Sequence, residues 1–313
     1  MRRAAALLIL PLFAAAAAGC GSSSSSTQAA ASNTAVIATG KFGAAPKVTI
    51  PAEKASAALY TKTIIQGSGA PLTTAETLLG NFVLYDWSGK THKLLGSTYT
   101  SGSPTLFAGQ MLPGLEKALI GQKAGSRVIA VIPPKEGFGS GGNSQIGVSG
   151  TDTLVFVVDM IQEFVNTAGV TGTQATDGGG ALPKVTATAG KAPTVTIPST
   201  TPPKALQVKT LIKGTGPKVT KGQYIVVQYT GLNWRTKKVF DSSWSRSEPT
   251  AFNIGVGQVI KGWDTGIVGQ TVGSRVLLVI PPADGYGKTG SSTAGIKGTD
   301  TITFVVDILG ASA

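Results

Sequence analysis

Short apolar runs separated by Gly- and Pro-bounded turns fill most of the chain. "QYIVVQY" (Gln223–Tyr229), "RVLLVIP" (Arg275–Pro281) and "DTITFVVDIL" (Asp300–Leu309) are rich in β-branched and aromatic residues, which predicts strands. "VIKGWDTGIVG" breaks the pattern. Its Ile260, Trp263, Ile267 and Val268 fall at i, i+3, i+7 and i+8, one face of a helix. A short helix lying on an antiparallel sheet is an α+β layer arrangement.

The whole pattern occurs twice. "APKVTIP" (Ala45–Pro51) returns as "APTVTIP" (Ala192–Pro198), "SRVIAVIPPKEGFG" (Ser126–Gly139) as "SRVLLVIPPADGYG" (Ser274–Gly287), and "GTDTLVFVVDMI" as "GTDTITFVVDIL". The offset is 147 residues at first and 148 from Gln110/Gln258 onward. Solenoid periods are about 20–50 residues. This repeat is therefore a duplicated domain, expected at residues 42–164 and 190–313. "VNTAGVTGTQATDGGGALPKVTATAG" has few large apolar residues, so 165–189 reads as a linker.

The N-terminus follows another logic. Arg2 and Arg3 precede a short apolar run, Ala4 to Ala18, and Cys20 follows Ala17-Ala18-Gly19. The run is shorter than the about 20 residues of a membrane-spanning helix and fits a secretory signal peptide over residues 1–19. Cys20 is the one cysteine of the chain, so it has no disulfide partner within it. The stretch resembles a bacterial lipoprotein lipobox, with Ala17 where Leu is commoner. That implies an acylated Cys20, a lipid partner and a place outside the cytoplasm, anchored to the bacterial cell membrane. Ordinary signal cleavage leaving a free thiol is the other reading. "GSSSSSTQAAASNT" makes 20–41 a flexible tether.

Composition narrows the classes. The 313 residues are 42% hydrophobic and 13% charged, which suits turn-rich globular domains and not a disordered tail. The net charge of +12 is uneven, with 14 Lys/Arg against 6 Asp/Glu in residues 190–313. The lysines are scattered and no nucleic-acid motif accompanies them, so a solvated surface near an anionic envelope is expected, not a nucleic-acid partner.

With "VVQYTG", "VFDSS", "GQVIKGWDTGIVGQTVGSR", "PPADGYG" and "TDTITFVVDIL" in this order, residues 204–313 resemble the FKBP-type peptidyl-prolyl cis–trans isomerases. The resemblance implies a twisted antiparallel sheet wrapped around one short helix, with an apolar site between them. It places Tyr229, Phe240, Asp241, Val259, Ile260, Trp263, Tyr286, Ile296 and Phe304 at that site, with Trp263 as the floor. It makes Tyr286 and the Ile260 N–H donors to a bound carbonyl, Asp241 the acid beside the twisting amide, and Arg246 its neighbour. Phe252 is expected in the same site. On pattern alone Trp263, Phe252 and Phe304 read as core residues, and Asp241 as a turn residue. Thr250 stands where many members have an aromatic residue, and the loop Lys288–Gly298 lacks the usual prolines. Proline-containing polypeptides and macrolides are the implied partners.

Rotation about an X–Pro amide breaks no covalent bond, so it needs neither a nucleophile nor a metal or cofactor, and no Ser–His–Asp or metal-ligand pattern stands in the sequence. The first copy departs where the chemistry lies. Aligned on Tyr85/Tyr229, it has Leu95-Gly96 for Phe240-Asp241, Leu115 for Trp263 and Phe138 for Tyr286, and the segment after Phe107 is three residues shorter. This predicts an FKBP-like but weakly active or inactive domain at 42–164 and an active isomerase at 190–313 that assists folding of extracytoplasmic proteins. The competing reading is a non-catalytic chaperone or adaptor module that binds extended chains at the cell surface.

Overall fold

The structure is a computed structural model, described over residues 29–107, 111–175, 181–188 and 190–312. The expected signal peptide and Cys20 lie outside the described residues. Each copy forms one six-stranded sheet. In the second, Gln207–Ile212, Arg275–Ile280, Ile302–Ser312, Tyr224–Asn233 and Val239–Ser242 lie side by side, all antiparallel. Thr250–Asn253 pairs with the first half of Tyr224–Asn233, on the edge whose second half takes Val239–Ser242. The first sheet repeats this order with Tyr60–Ile65, Arg127–Ile132, Thr153–Val165, Glu76–Ser88 and Thr91–Ser97, and Thr105–Phe107 pairs with Glu76–Ser88.

The expected helix runs over Lys261–Ile267, with its counterpart at Pro113–Leu119. Seven residues do not hold a helix in water by themselves. Burial of Trp263 and Ile267 against the sheet supplies what propensity lacks. The approach is close. A Cβ at Gly262 would stand 2.6 Å from Ile280 Cγ2, and one at Gly266 2.6 Å from Leu278 Cδ2. Period-2 alternation fills this layer: Ile225, Val227 and Tyr229 face the helix together with Leu278, Ile280, Phe304, Val306 and Ile308.

The opposite face of each sheet is also apolar, and this changes two expected boundaries. Part of the expected tether folds onto the first sheet. Ile37–Thr39 pairs with Lys47–Thr49, and Val36, Ala38 and Ile50 are buried over Val83, Trp87, Ile129, Val131, Val155 and Val157. The loop of this hairpin is pinned from below. Arg127, fully buried, bonds Asp159 at 2.5 Å and donates to the Gly40 and Ala44 carbonyls, while Gly43 N–H donates to Asp159. The expected linker likewise folds onto the second sheet. Lys184–Thr186 pairs with Thr194–Thr196, Val185 is buried with Leu211, Leu277 and Val305, and Val170 N–H donates to Asp307 at 2.9 Å. These segments lack large apolar runs because one inward alanine or valine per three-residue strand is enough to cover a face the sheet has already made apolar.

Candidate active site

The site is built where the long central strand, its edge partners and the helix converge. Tyr229 and Gly231 point inward from Tyr224–Asn233. Phe304 lies opposite Gly231, and Trp263 rises from the helix. The aromatic rings meet edge to face. Trp263 lies 5.5 Å from Tyr229, 5.5 Å from Phe252 and 5.2 Å from Phe304, with interplanar angles of 87°, 74° and 87°. Phe240 stands edge-on to Phe304 at 5.5 Å. This geometry is favourable for ring quadrupoles and leaves a concave face where a stacked sandwich would fill it.

The resulting cavity holds about 390 Å³ and is lined by Tyr229, Asp241, Phe252, Gln258, Val259, Ile260, Trp263, Tyr286 and Phe304. The sequence-expected residues are thus brought together. Phe240 packs behind Phe304, Ile296 is buried in the same cluster, and Arg246 stands at the rim. Gly231 is the position that keeps this wall open: a Cβ there would lie 2.6 Å from Phe304 and 2.9 Å from Phe240.

The polar rim has three members. Tyr229 Oη donates to Asp241 Oδ2, Arg246 Nη1 donates to Asp241 Oδ1 at 2.7 Å, and Arg246 Nη2 donates to Tyr229 Oη at 2.9 Å. Arg246 Nη2 also reaches Thr250 Oγ1 at 3.4 Å, so the residue that departs from the family pattern takes part in the rim. Burial pushes the Asp241 carboxyl up, but the hydrogen bonds of Tyr229 and Arg246 and the Arg246 charge outweigh it. The group is held below its ordinary value. Burial, with the bond to Asp241, pushes Tyr229 up to about 12, and burial with the Asp241 charge raises Tyr286. Asp241 is therefore a carboxylate at neutral pH while both phenols keep their protons. Tyr286 is 37% exposed at the mouth, and its hydroxyl has no protein partner among the described residues.

Two supporting residues escaped the sequence reading. Gln258 lines the cavity. Asp264, on the solvent side of the helix, accepts from Gly255 N–H at 2.6 Å and Gly257 N–H at 2.8 Å, which fixes the loop leading to Val259 and Ile260. An acid one position past a buried Trp, following a loop with two glycines, is the signal that was there.

The strand register corrects one anchor in the first copy. Phe82 lies opposite Val158 as Tyr229 lies opposite Val306, and Phe82 N–H takes Thr98 Oγ1 as Tyr229 N–H takes Ser243 Oγ. Phe82, not Tyr85, is the counterpart of Tyr229. The hairpin after Trp87 is two residues longer than that after Trp234, so the spacing between these strands differs in the two copies. The pairing of Leu95-Gly96 with Phe240-Asp241 stands, since Leu84 lies opposite Gly96 as Gly231 lies opposite Asp241. The first copy thus has Phe for both phenols, Gly for the acid and Leu84 where the wall needs Gly231. Phe82 packs against Phe107 and Phe156, each at 5.9 Å.

The site is an aromatic cavity with one unpartnered phenol at its mouth and a carboxylate held at its rim by Tyr229 and Arg246. The comparisons name the family. The model described as FKBP-type peptidyl-prolyl cis-trans isomerase matches residues 74–161 and 216–309, and the chain belongs to this family through both copies. It is 40% identical over 117 residues to the FK506-binding protein of Streptomyces anulatus, a stretch covering 37% of this chain and 94% of that one. It is 34% identical over 119 residues to the probable FK506-binding protein of Corynebacterium glutamicum, covering 38% and 98%. The crystal structure of AtFKBP13 shares 37% identity, with 35% of this chain and 95% of that chain covered and a TM-score of 0.33.

Proposed function

We propose that the isomerase activity resides in the second domain, residues 190–313, and that the first domain contributes little or none of it. The observation that carries this is the Tyr229–Asp241–Arg246 rim over an aromatic cavity in one copy and, in the other, Phe82 and Gly96 at the positions of the phenol and the carboxylate. The barrier to X–Pro rotation is loss of amide resonance, about 18–20 kcal/mol. The twisted amide carries less charge separation than the planar one, so the ring-lined cavity favours it over water. The Trp263 floor receives the prolyl ring. Tyr286 Oη and the Ile260 N–H donate to carbonyl oxygens of the bound segment, and Asp241, fixed by Arg246 and Tyr229, faces the turning carbonyl. Contacts made best in the twisted geometry lower the barrier, and a 10⁴–10⁵-fold gain takes about 5–7 kcal/mol.

The test uses the full chain in a proline-limited refolding assay. Asp241→Gly with Tyr286→Phe, which copies the first domain into the second, is expected to lower kcat/KM by about 100-fold, close to 3 kcal/mol. Phe138→Leu, at the corresponding position of the first domain, is expected to leave it unchanged. The opposite pattern would assign catalysis to the first copy. The FK506 in the relatives' names supports a macrolide of that class as a ligand for the 390 Å³ cavity. Calorimetry on wild type and Trp263→Ala checks this, with binding expected only to wild type.

The polypeptide clients are proline-containing chains outside the cytoplasm. This rests on residues 1–20, with a basic start, a short apolar run and Cys20 as the acylated anchor. Among the described residues no helix is long and apolar enough to cross a membrane. Cys20→Ser is expected to move the protein out of the membrane fraction after a high-salt wash, with isomerase activity intact. Mature protein still in the pellet refutes the lipid anchor.

A further inference from the structure

The two copies are joined by a seam whose second side is the isomerase site. Leu79 and Phe164 of the first domain and Val226 of the second are buried in one apolar cluster, with Leu106, Tyr224 and Ala251 packed against it. Phe164 sits on the backbone of Gly310, where a Cβ would lie 2.7 Å from its ring. Strand Thr250–Asn253 borders both. Ala251 packs into the seam, whereas the next residue, Phe252, lines the catalytic cavity. Asn253 Nδ2 donates to Ser103 Oγ at 3.1 Å, tying the same strand to the first domain.

A buried polar chain runs beside this. Asn166, at the end of the first domain's last strand, is held there by Thr77 Oγ1 at 2.6 Å and through its own N–H to Ala75 O. Its carbonyl accepts from Gln228 Nε2 at 2.8 Å. Gln228 Oε1 accepts from Ser243 Oγ, and Ser243 Oγ accepts from Tyr229 N–H at 2.8 Å. Gln228 and Ser243 are both fully buried. Ser243 opens the turn Trp244–Arg246 that carries the rim arginine, and Gly169, just after the first domain, packs on Trp244 of that turn. The chain therefore ends on the backbone of Tyr229 and at the root of Arg246, two of the three rim residues.

We infer that the first domain acts as a positioning element for the second domain's site, with Gln228 as the residue that transmits it. This rests on the assignment of catalysis to the second domain. A buried amide with both ends satisfied fixes its neighbours, and its loss takes the amide donor from the Asn166 carbonyl and leaves the Ser243 hydroxyl proton only the Tyr229 carbonyl at 3.4 Å. The rim then shifts while the Trp263 floor stays. Small displacements of catalytic groups lower the rate far more than binding. The first copy's own pocket chemistry is lost, yet its seam face is apolar and fully used.

The experiment uses full-length protein with Gln228→Met, which keeps the volume and removes both hydrogen bonds, and separately Phe164→Ala, which touches no residue of the second domain's site. Each is assayed with a proline-containing chromogenic peptide, normalised to folded sites by macrolide titration. A fall in kcat of about 5- to 20-fold with KM changed less than about two-fold is the expected result. Wild-type kcat per folded site in both variants overturns the inference, as does a loss seen only in KM. Asp241→Gly run alongside separates the failures. If it too leaves kcat unchanged, the site assignment falls and the positioning role falls with it. If it abolishes kcat while the seam variants do not, the site stands and the positioning role alone is refuted.

Discussion

Gly231→Ala is the smallest change that tests why the second domain keeps an open site. The added methyl would meet Phe304 Cε1 at 2.6 Å and Phe240 Cζ at 2.9 Å, against ordinary contact from 3.4 Å. The Phe304 ring must retreat by about 0.8 Å, toward a Trp263 whose centroid is already 5.2 Å away and perpendicular. Overpacking of this kind costs about 1–3 kcal/mol, and replacing Gly within a strand returns about 0.5–1 kcal/mol. The net expected loss is about 0.5–2 kcal/mol, read as a lower urea midpoint with unchanged m-value. The effect on catalysis is larger than on stability, because Phe304 lines the cavity and Phe240 packs behind it. kcat/KM is expected to fall by about ten-fold or more in the proline-limited assay. An alanine variant with wild-type activity and midpoint would show that the wall tolerates a side chain. Leu84 in the first copy would then no longer explain its lost cavity.

Asp241 is held below its ordinary value, so its stabilising contribution is present above the unfolded value near pH 4 and is lost as pH falls through the folded one. With Tyr229 pushed up to about 12, activity is expected to be level from about pH 5 to 9. An inflection near pH 6–7 that persists in wild type but not in Asp241→Asn would contradict the ionic state assigned here. In the first domain, Asp86 occupies the place of Asn233, which donates to Asp300 in the second. Burial, then the Asp152 charge, raises Asp86, and its Oδ1 has no partner among the described residues. The folded state therefore binds this proton more tightly than the unfolded one, and stability falls as pH rises through the interval above pH 4. Asp86→Asn is expected to gain about 1 kcal/mol at pH 7 and less at pH 4, measured by urea unfolding at the two pH values. An equal or larger gain at pH 4 would contradict this.

The sequence by itself determined a good deal. Alternating β-branched runs marked Tyr224–Asn233, Arg275–Ile280 and Ile302–Ser312. The spacing of Ile260, Trp263 and Ile267 marked the helix, and the repeat of near-constant offset showed two copies. The family resemblance named the cavity residues, because side chains that must meet around one ring-sized space are held at fixed separations along an unbranched topology. What only the tertiary structure decided lies where local signals are weak or cancel. One valine in Lys184–Thr186 is no signal until the apolar outer face of the sheet is there to receive it, so the linker and part of the tether read as loose chain. The counterpart of Tyr229 is Phe82 and not the nearby Tyr85, since register is set by cross-strand pairing and not by residue type. Gln228 reads as an ordinary polar residue in a strand. Its importance comes from a carbonyl 62 positions away and a serine 15 positions away, which only folding brings to its two ends.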